Sequence, residues 1–371
     1  MKIFAVNPGS TSTKVALIED EKTLFSQNVA HQAEKLGEFE EISDQLSYRL
    51  ETIMQMLEEK GITLEDVDAF VGRGGGLFSC EGGVYRIDEL LLGHSERGAN
   101  GIQHPAQLGP QIADRFAKQY QKPAFVVNPP DVDELQDVAR MTGIRGVYRN
   151  VHLHALNLKE TAIRHAKAMG KDYGECNFVV CHIGGGISVS AHRKGRMVDG
   201  YDIAGGEGPM TPTRCGSISV ASLTDYAKGK EPKELKKLCT RQGGFVSLLG
   251  TSDAIEVTRR AAEGDPMAEM AWKAMIYQTG KCIASMAAVL CGEVDGILLG
   301  GGMVHNRELV EELTGSCGWI APVSAYPGEF EMEAMAAGAI RAMTGLEPIK
   351  TYTGKPAWTG FAFEREAGCD V

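Results

Sequence analysis

The sequence predicts an α/β protein built from two copies of one β-β-β-α-β-α plan facing a cleft, and three observations lead there. The first is bulk composition: 371 residues, 43% hydrophobic and 23% charged, suffice for more than one packed core of ordinary globular type. The second is periodicity, with short alternating strands, helix-period stripes and glycine-rich turns succeeding one another. The third is repetition: FVVCHIGGGISVSAHRKGRMV mirrors IFAVNPGSTSTKVALIEDEKTL as strand, small-residue turn, strand, charged turn and strand. Setting His182 on Asn7 also superposes Gly184 on Gly9 and Ala191 on Ala16.

Taken in order, IFAVN, KVALIED and KTLFSQNVA read as three antiparallel strands joined by hairpin-length turns. Phe39, Ile42, Leu46, Leu50, Ile53 and Leu57 recur at steps of three and four, which predicts one long helix with a single apolar stripe. DAFV is a short buried strand ending in Gly72-Arg73-Gly74-Gly75-Gly76, and His104 precedes a helix with Leu108, Ile112 and Phe116 facing inward. The helix suggested by VHLHALNLKETAIRHAKAMG is the crossover, so the domains are expected at residues 1–150 and 151–371. In the second half a helix opening at Asp265-Pro266, with Met267, Met270, Ala271, Ala274 and Met275 on its apolar side, precedes strand GILL and Gly300-Gly301-Gly302. This pair echoes the first half's helix and strand after an insert of roughly 50 residues, placed in the polar, glycine-rich region between 200 and 265.

A formal net charge of -11 excludes a nucleic-acid binder, whose phosphate contacts need a basic face. Any phosphate must be met locally. Nine cysteines, odd in number and never spaced C-x-x-C, suggest neither a disulfide framework nor a zinc site. His152 and His154 have the spacing of a strand-borne metal pair, but helix follows and no third ligand is evident. The opening apolar run is too short for a signal peptide and no stretch approaches the roughly 20 apolar residues of a membrane span, so a complete cytoplasmic protein with no membrane partner is expected.

The stretch VNPGSTSTK looks built to hold phosphate. Glycine permits close approach of the backbone, the hydroxyls of Ser10, Thr11, Ser12 and Thr13 and the turn's N–H groups can surround phosphate oxygens, and Lys14 adds charge. A plain β-hairpin would carry similar residues, and it is the repeat that favours function. In that repeat Gly184, Gly185 and Gly186 leave bare N–H groups after His182, and Gly300 to Gly302 leave others before a helix with Asn306. Arg73 sits among four glycines, its planar fork suited to carboxylate or phosphate. Glu329, Glu331 and Glu333 open a late helix, where either the helix dipole or magnesium accounts for acids.

NPGSTSTK, VGRGGG, GIQHPAQLG, HIGGGISVSA and LGGGMVHN, in this order, resemble the acetokinase family, the acetate and butyrate kinases of the actin, sugar kinase and Hsp70 superfamily. GRGGG followed by GGVYRIDE, together with HPAQLG, is more similar to the butyrate branch than to the acetate kinases, whose arginine motif continues into a histidine and paired glycines. The resemblance implies two duplicated actin-like (ribonuclease H-like) domains around a nucleotide cleft, ATP and a short-chain carboxylate as substrates, Mg²⁺ as cofactor, and a homo-oligomer of at least two chains. It implies Asn7, Ser10, Ser12 and Lys14 in the first phosphate turn, His182 with Gly184 to Gly186 in the second, and Gly300 to Gly302 with Asn306 at the adenosine. Arg73 would hold the carboxylate and the transferring phosphoryl, His104 would line the acyl site, and Glu331 would be the magnesium-linked acid, with Asn7 at the same metal. The chain departs from the family at Asn128, where an aspartate is expected and Asp131 or Asp133 follows. The family's second arginine has three candidates, Arg214, Arg259 and Arg260.

The chemistry accounts for Asn7 standing where many phosphotransferases have an acid. A sugar hydroxyl must lose a proton as it attacks phosphorus and needs a carboxylate base, whereas a fatty acid with a pKa near about 4 is already ionised. The expected reaction is butanoate with ATP to butanoyl phosphate and ADP; the nearest rival is the same chemistry on acetate, propionate or a branched-chain acid, and the other is a nucleotide switch of the actin and Hsp70 type, which would retain acids at positions 7 and 182.

Overall fold

The structure is a computed structural model and describes residues 1–366. Two compact units are present, Met1–Asp133 joined by the segment from Phe330 onward, and Glu134–Glu329. The first contains β1 (Lys2–Pro8), β2 (Ser12–Glu19), β3 (Lys22–Ala30), α1 (Leu46–Glu59), β4 (Ala69–Gly72), β5 (Val84–Arg86), α2 (Leu108–Tyr120) and β6 (Ala124–Val127). The second contains α3 (Ala155–Ala168), β7 (Asn177–Ile183), β8 (Ile187–Arg193), β9 (Arg196–Gly200), α4 (Pro266–Val289), β10 (Gly296–Gly301), α5 (Arg307–Cys317) and β11 (Val323–Pro327). The chain then returns to the first unit as α6 (Glu331–Met343) and β12 (Ile349–Lys350).

The first unit's sheet has the order β12-β5-β6-β4-β1-β2-β3, and the second unit's the order β11-β10-β7-β8-β9. In each, an antiparallel meander continues into parallel strands. β1 is buried on both faces and reads accordingly as a nearly unbroken apolar run. Phe4 and Val6 point into a core with Ile53 and Leu57 of α1 and Ile112 and Phe116 of α2, where the Phe4 and Phe116 rings meet edge-on at 5.4 Å. α6 packs against β1, β4 and β6. In the second unit the core gathers Ile187, Val189, Met275, Ile283 and Leu299.

Four expectations are corrected by this arrangement. The helix in the first unit does not begin near Phe39: residues 43–45 form a single 3₁₀ turn, and Asp44 accepts the Glu41 N–H at 3.1 Å, a local bond that competes with helix until Leu46. On α4 the inward face is Ala268, Ala271, Trp272 and Met275, whereas Met267 and Met270 are exposed. The compact units differ from residues 1–150 and 151–371, because the first crossing falls at Asp133/Glu134 and the chain from Phe330 returns to the first unit, where α6 packs on the sheet of β1. Finally, the two hairpins differ by one residue. Asn7 pairs with Lys14 but His182 pairs with Ser188, so if His182 matches Asn7 then Ser190, and not Ala191, matches Ala16.

The insert falls where expected, between β9 and α4, and is helical: Val220–Tyr226, Pro232–Arg241, Gly244–Leu249 and Ala254–Ala262. Among the described residues no helix is long and apolar enough to cross a membrane, and the cysteines are unbridged. Cys369 lies outside the described residues.

Two helical glycines test the packing with opposite signs. A Cβ on Gly338 of α6 would collide with the branched side chain of Val127, whereas one on Gly315 of α5 would meet nothing within 4 Å. Gly315→Ala is expected to stabilise by about 0.5–1 kcal/mol through helix propensity. Gly338→Ala should destabilise by about 1–2 kcal/mol, overpacking outweighing the same propensity gain, as read from denaturant unfolding.

Candidate active site

In the first unit, β1 ends at Asn7 and Pro8, and the turn of Gly9 to Thr11 leads into β2. Gly9 N–H donates to the Ser12 carbonyl at 2.7 Å. Ser10 and Thr11 are exposed, and their amides make no backbone hydrogen bond among the described residues. Lys14 lies directly across from Asn7 in the antiparallel register, so both side chains project from one face of the sheet. On that face Asn7 Nδ2 donates to Glu331 Oε2 at 2.6 Å, at the first turn of α6. This contact separates Glu331 from its neighbours: Glu333 accepts from Thr23 Oγ1 at 3.2 Å, and Glu329 lies in the other unit, 3.9 Å from His182.

Arg73 follows β4 and is buried, with 7% exposure. Its Nη1 donates to the Asn128 carbonyl at 3.4 Å. Burial pulls the guanidinium below its ordinary range, opposed by the carboxylates of Glu331 and Asp131. The surrounding glycines have a packing reason. A Cβ on Gly72 would strike the backbone of Gly109, one on Gly109 would strike the Arg73 carbonyl, and one on Gly74 would lie 2.6 Å from Val126 Cγ1 and 2.7 Å from Pro129 Cβ. Bare backbone on both sides lets the Arg73 loop lie against the start of α2.

Asn128 turns out to be a strand-end clamp. Its φ of 39° is left-handed, a region asparagine tolerates, and it exchanges two bonds with Gly83, whose N–H meets Oδ1 at 2.8 Å and whose carbonyl accepts the Asn128 N–H at 2.9 Å. Of the two acids that follow, it is Asp131 whose charge reaches Arg73; its Oδ1 accepts from Asn100 at 2.6 Å. His104 caps the 3₁₀ turn Pro105–Gln107, its Nδ1 accepting the Ala106 N–H at 3.1 Å, which leaves the proton on Nε2.

In the second unit His182 is buried at the end of β7. The His154 ring lies 4.3 Å away at 35°, held by a 2.8 Å bond between Nδ1 and Ser188 Oγ. Gly184 N–H donates to the Gly186 carbonyl at 3.0 Å, and the space over Gly185 is open. Gly186 has no room for a Cβ because Arg214 Nη1 occupies the place. Arg214 is also a cation held below its usual range by burial, with Asp202 opposing, and its buried Nε has no hydrogen-bond partner among the described residues. Arg259 and Arg260 are engaged elsewhere, with Glu263 and Asp265. Arg214 is therefore the arginine that meets the glycine turn.

A cavity of about 570 Å³ adjoins this turn, within the range of small-molecule sites. Gly184, Gly185, Gly302 and Asn306 line it with Ile255, Trp272 and Met303. Asn306 caps α5, accepting the Leu309 N–H at 3.0 Å. Gly300 and Gly301 lie within β10, away from the lining, and Gly301, at a φ of 100°, presses on the backbone of Ile183.

Sequence reasoning did not single out His154 as a neighbour of His182, nor Arg49 beneath the first turn. Arg49 did leave a signal, an arginine within the apolar stripe of Leu46, Leu50 and Ile53. The oxygen donors of Glu331 and Asn7 fit Mg²⁺, which takes one or two carboxylates together with substrate phosphates. No group of three or more His, Cys, Asp or Glu side chains poised for a metal occurs among the described residues, so phosphate oxygens and water would have to complete such a shell.

Residues 139–317 match the sequence profile described as the Acetokinase family. Over 354 residues the chain is 40% identical to butyrate kinase 2 of Clostridium acetobutylicum, covering 95% of this chain and 99% of that one. In structure it is similar to an acetate kinase from Porphyromonas gingivalis, with a TM-score of 0.73 and 19% identity over 93% of this chain and 99% of that one. It is also similar to a propionate kinase from Francisella tularensis, with a TM-score of 0.69 and 18% identity over 91% of this chain and 98% of that one. These two bear out the expected actin-like fold.

Gly186→Ala should separate stability from function, because the displaced atom is the end of a flexible side chain. Unfolding is expected to change by less than about 0.5 kcal/mol while turnover falls by about 10–100-fold as Arg214 moves. His31, which bonds Thr13 below the first turn, is held neutral by burial and by Arg49, its pKa lowered to about 4. Acidification therefore protonates it in the unfolded chain first, and stability is lost as pH falls from 6.5 toward 4. The unfolding free-energy advantage of the native protein over His31→Gln should shrink by about 2 kcal/mol between about pH 7 and 4.5.

Proposed function

The chain belongs to the acetokinase family and is a carboxylate kinase; we propose that its acceptor is butanoate, phosphorylated directly by ATP to give butanoyl phosphate and ADP. The observation that supports this best is the pairing at the end of β1, where an amide, Asn7, meets Glu331, with a buried arginine, Arg73, close to that acid. Such a group binds and neutralises; it does not abstract a proton.

None needs abstracting. One carboxylate oxygen forms its bond to the γ-phosphorus as the bond to the β–γ bridging oxygen breaks, and the electron pair leaves with ADP. The barrier comes from two anions meeting. Arg73 would orient the acyl carboxylate and the transferring phosphoryl through its fork, and Lys14, Ser10, Thr11 and Ser12 would meet the phosphates on the first unit. His182, Gly184 to Gly186 and Arg214 would do so on the second, with the adenosine in the cavity beside Gly302 and Asn306. Gly300 and Gly301 would shape the strand end beneath it. His104 would offer Nε2–H to the acyl group. Mg²⁺ held through Glu331 and Asn7 would lower the charge of the phosphates. We place the enzyme in the cytosol as a homo-oligomer of at least two chains.

Trapping acyl phosphate with hydroxylamine over acetate, propionate, butanoate, isobutanoate and valerate tests the reading. Butanoate should give the highest kcat/KM, neighbours differing by one methylene falling by about tenfold or more, which corresponds to about 1–3 kcal/mol of pocket contact. A higher value for acetate would refute butanoate as the acceptor, and ATP consumption without hydroxamate from any acid would refute the transfer. Arg73→Ala should lower turnover by about 10²–10³ with the fold retained. A folded Arg73→Ala protein of near-native turnover would remove Arg73 from the reaction.

A further inference from the structure

Arg49 of α1 has no solvent exposure and is the largest side chain so completely covered among the described residues. Its Nη1 donates to the carbonyls of Gly9 at 2.9 Å and Ser12 at 3.3 Å and to Thr13 Oγ1 at 3.0 Å. Nη2 donates to the Ser10 carbonyl at 3.4 Å, and Nη2 and Nε share Gln45 Oε1 at 2.9 and 3.1 Å. Every acceptor is neutral, and no carboxylate pairs with it among the described residues. The one titratable neighbour in this network, His31, reaches Thr13 Oγ1 at 2.8 Å and is itself neutral.

A buried cation without a counter-ion is costly, and an apolar residue would fill a place in the stripe of α1 at less cost. The acceptors explain its presence. Drawing the carbonyls of Gly9 and Ser10 toward α1 turns the opposite edge of each trans peptide, the N–H groups of Ser10 and Thr11, away from it. Two successive outward amides form an anion-binding concavity. We propose that Arg49 is the positioning residue of this turn, fixing those amides outward and setting an uncompensated positive charge beneath the place of a nucleotide phosphate. The inference rests on reading the turn as a phosphate site and deepens it by naming what organises the turn.

Calorimetric titration of ATP, and separately of adenosine, into the full-length native protein and its Arg49→Lys, Arg49→Gln and Arg49→Met variants tests this. ATP affinity should fall at least about tenfold in Arg49→Gln and Arg49→Met and stay within about threefold in Arg49→Lys, while adenosine binds all four alike. A merely structural role would weaken adenosine along with ATP, or leave the lysine variant as impaired as the neutral ones, and either result overturns the proposal. So does native-like ATP affinity in Arg49→Gln. If Arg49→Met does not fold, the lysine and glutamine variants decide. A native protein that binds ATP yet forms no hydroxamate would sink the kinase reading alone, since the Arg49 comparison uses binding only.

Discussion

Like-charge repulsion between a carboxylate and a phosphoryl group is the constraint that the proposed site has to meet. Coulomb energies between unit charges at contact run from about 1 kcal/mol in water to several at the effective dielectric of a partly buried site. A few fixed cations and dipoles therefore decide whether the reactants can meet. The cations proposed for that role have little solvent around them: Arg73, Arg49 and Arg214 are each held below the ordinary arginine range by burial. Arginine tolerates this because its pKa is so high that a burial shift leaves it charged.

Glycine is the means by which buried cations are brought close to backbone. Gly72, Gly74 and Gly109 clear the path of the Arg73 loop, and Gly186 clears the place of the Arg214 guanidinium. These positions need the absence of Cβ for contact, which is a stricter demand than conformational freedom. The same reasoning separates members of the third glycine cluster, because Gly301 is required by Ile183 whereas Gly302 faces the cavity.

Much of this was legible in the sequence because it is written locally. Strand alternation, the turn at Gly9, the helix start at Asp265 and the glycines about Arg73 depend on neighbours a few residues away. Glu331 could be placed only to within two residues, since its distinction from Glu329 and Glu333 rests on a bond to Asn7 across the whole length of the chain. Asp131 and Arg214 were each one of several candidates for the same reason. Arg49 was hidden differently: within an apolar stripe it reads as a flaw in a helix face, and its function lies in carbonyls that no pattern of side chains encodes. The return of α6 to the sheet of β1 was hidden because the repeat predicts each half's own elements and says nothing of which sheet a terminal helix covers.

Duplication supplies two similar strand-turn-strand scaffolds, and a one-residue difference makes them chemically unlike. In the first hairpin Asn7 faces Lys14; in the second the shorter turn sets Ser188 opposite His182, and Ser188 orients His154. The position opposite His182, which matches Lys14 by register and shares its face, is Ser188. The cation that would match Lys14 is thus absent from β8, and the second turn takes its charge from outside the repeat, from Arg214 in the insert. The first turn likewise takes its underlying charge from α1. In the reading proposed for the two turns, each gains a cation from outside its meander, Arg49 of α1 beneath the first, which also has Lys14 of β2, and Arg214 of the insert at the second.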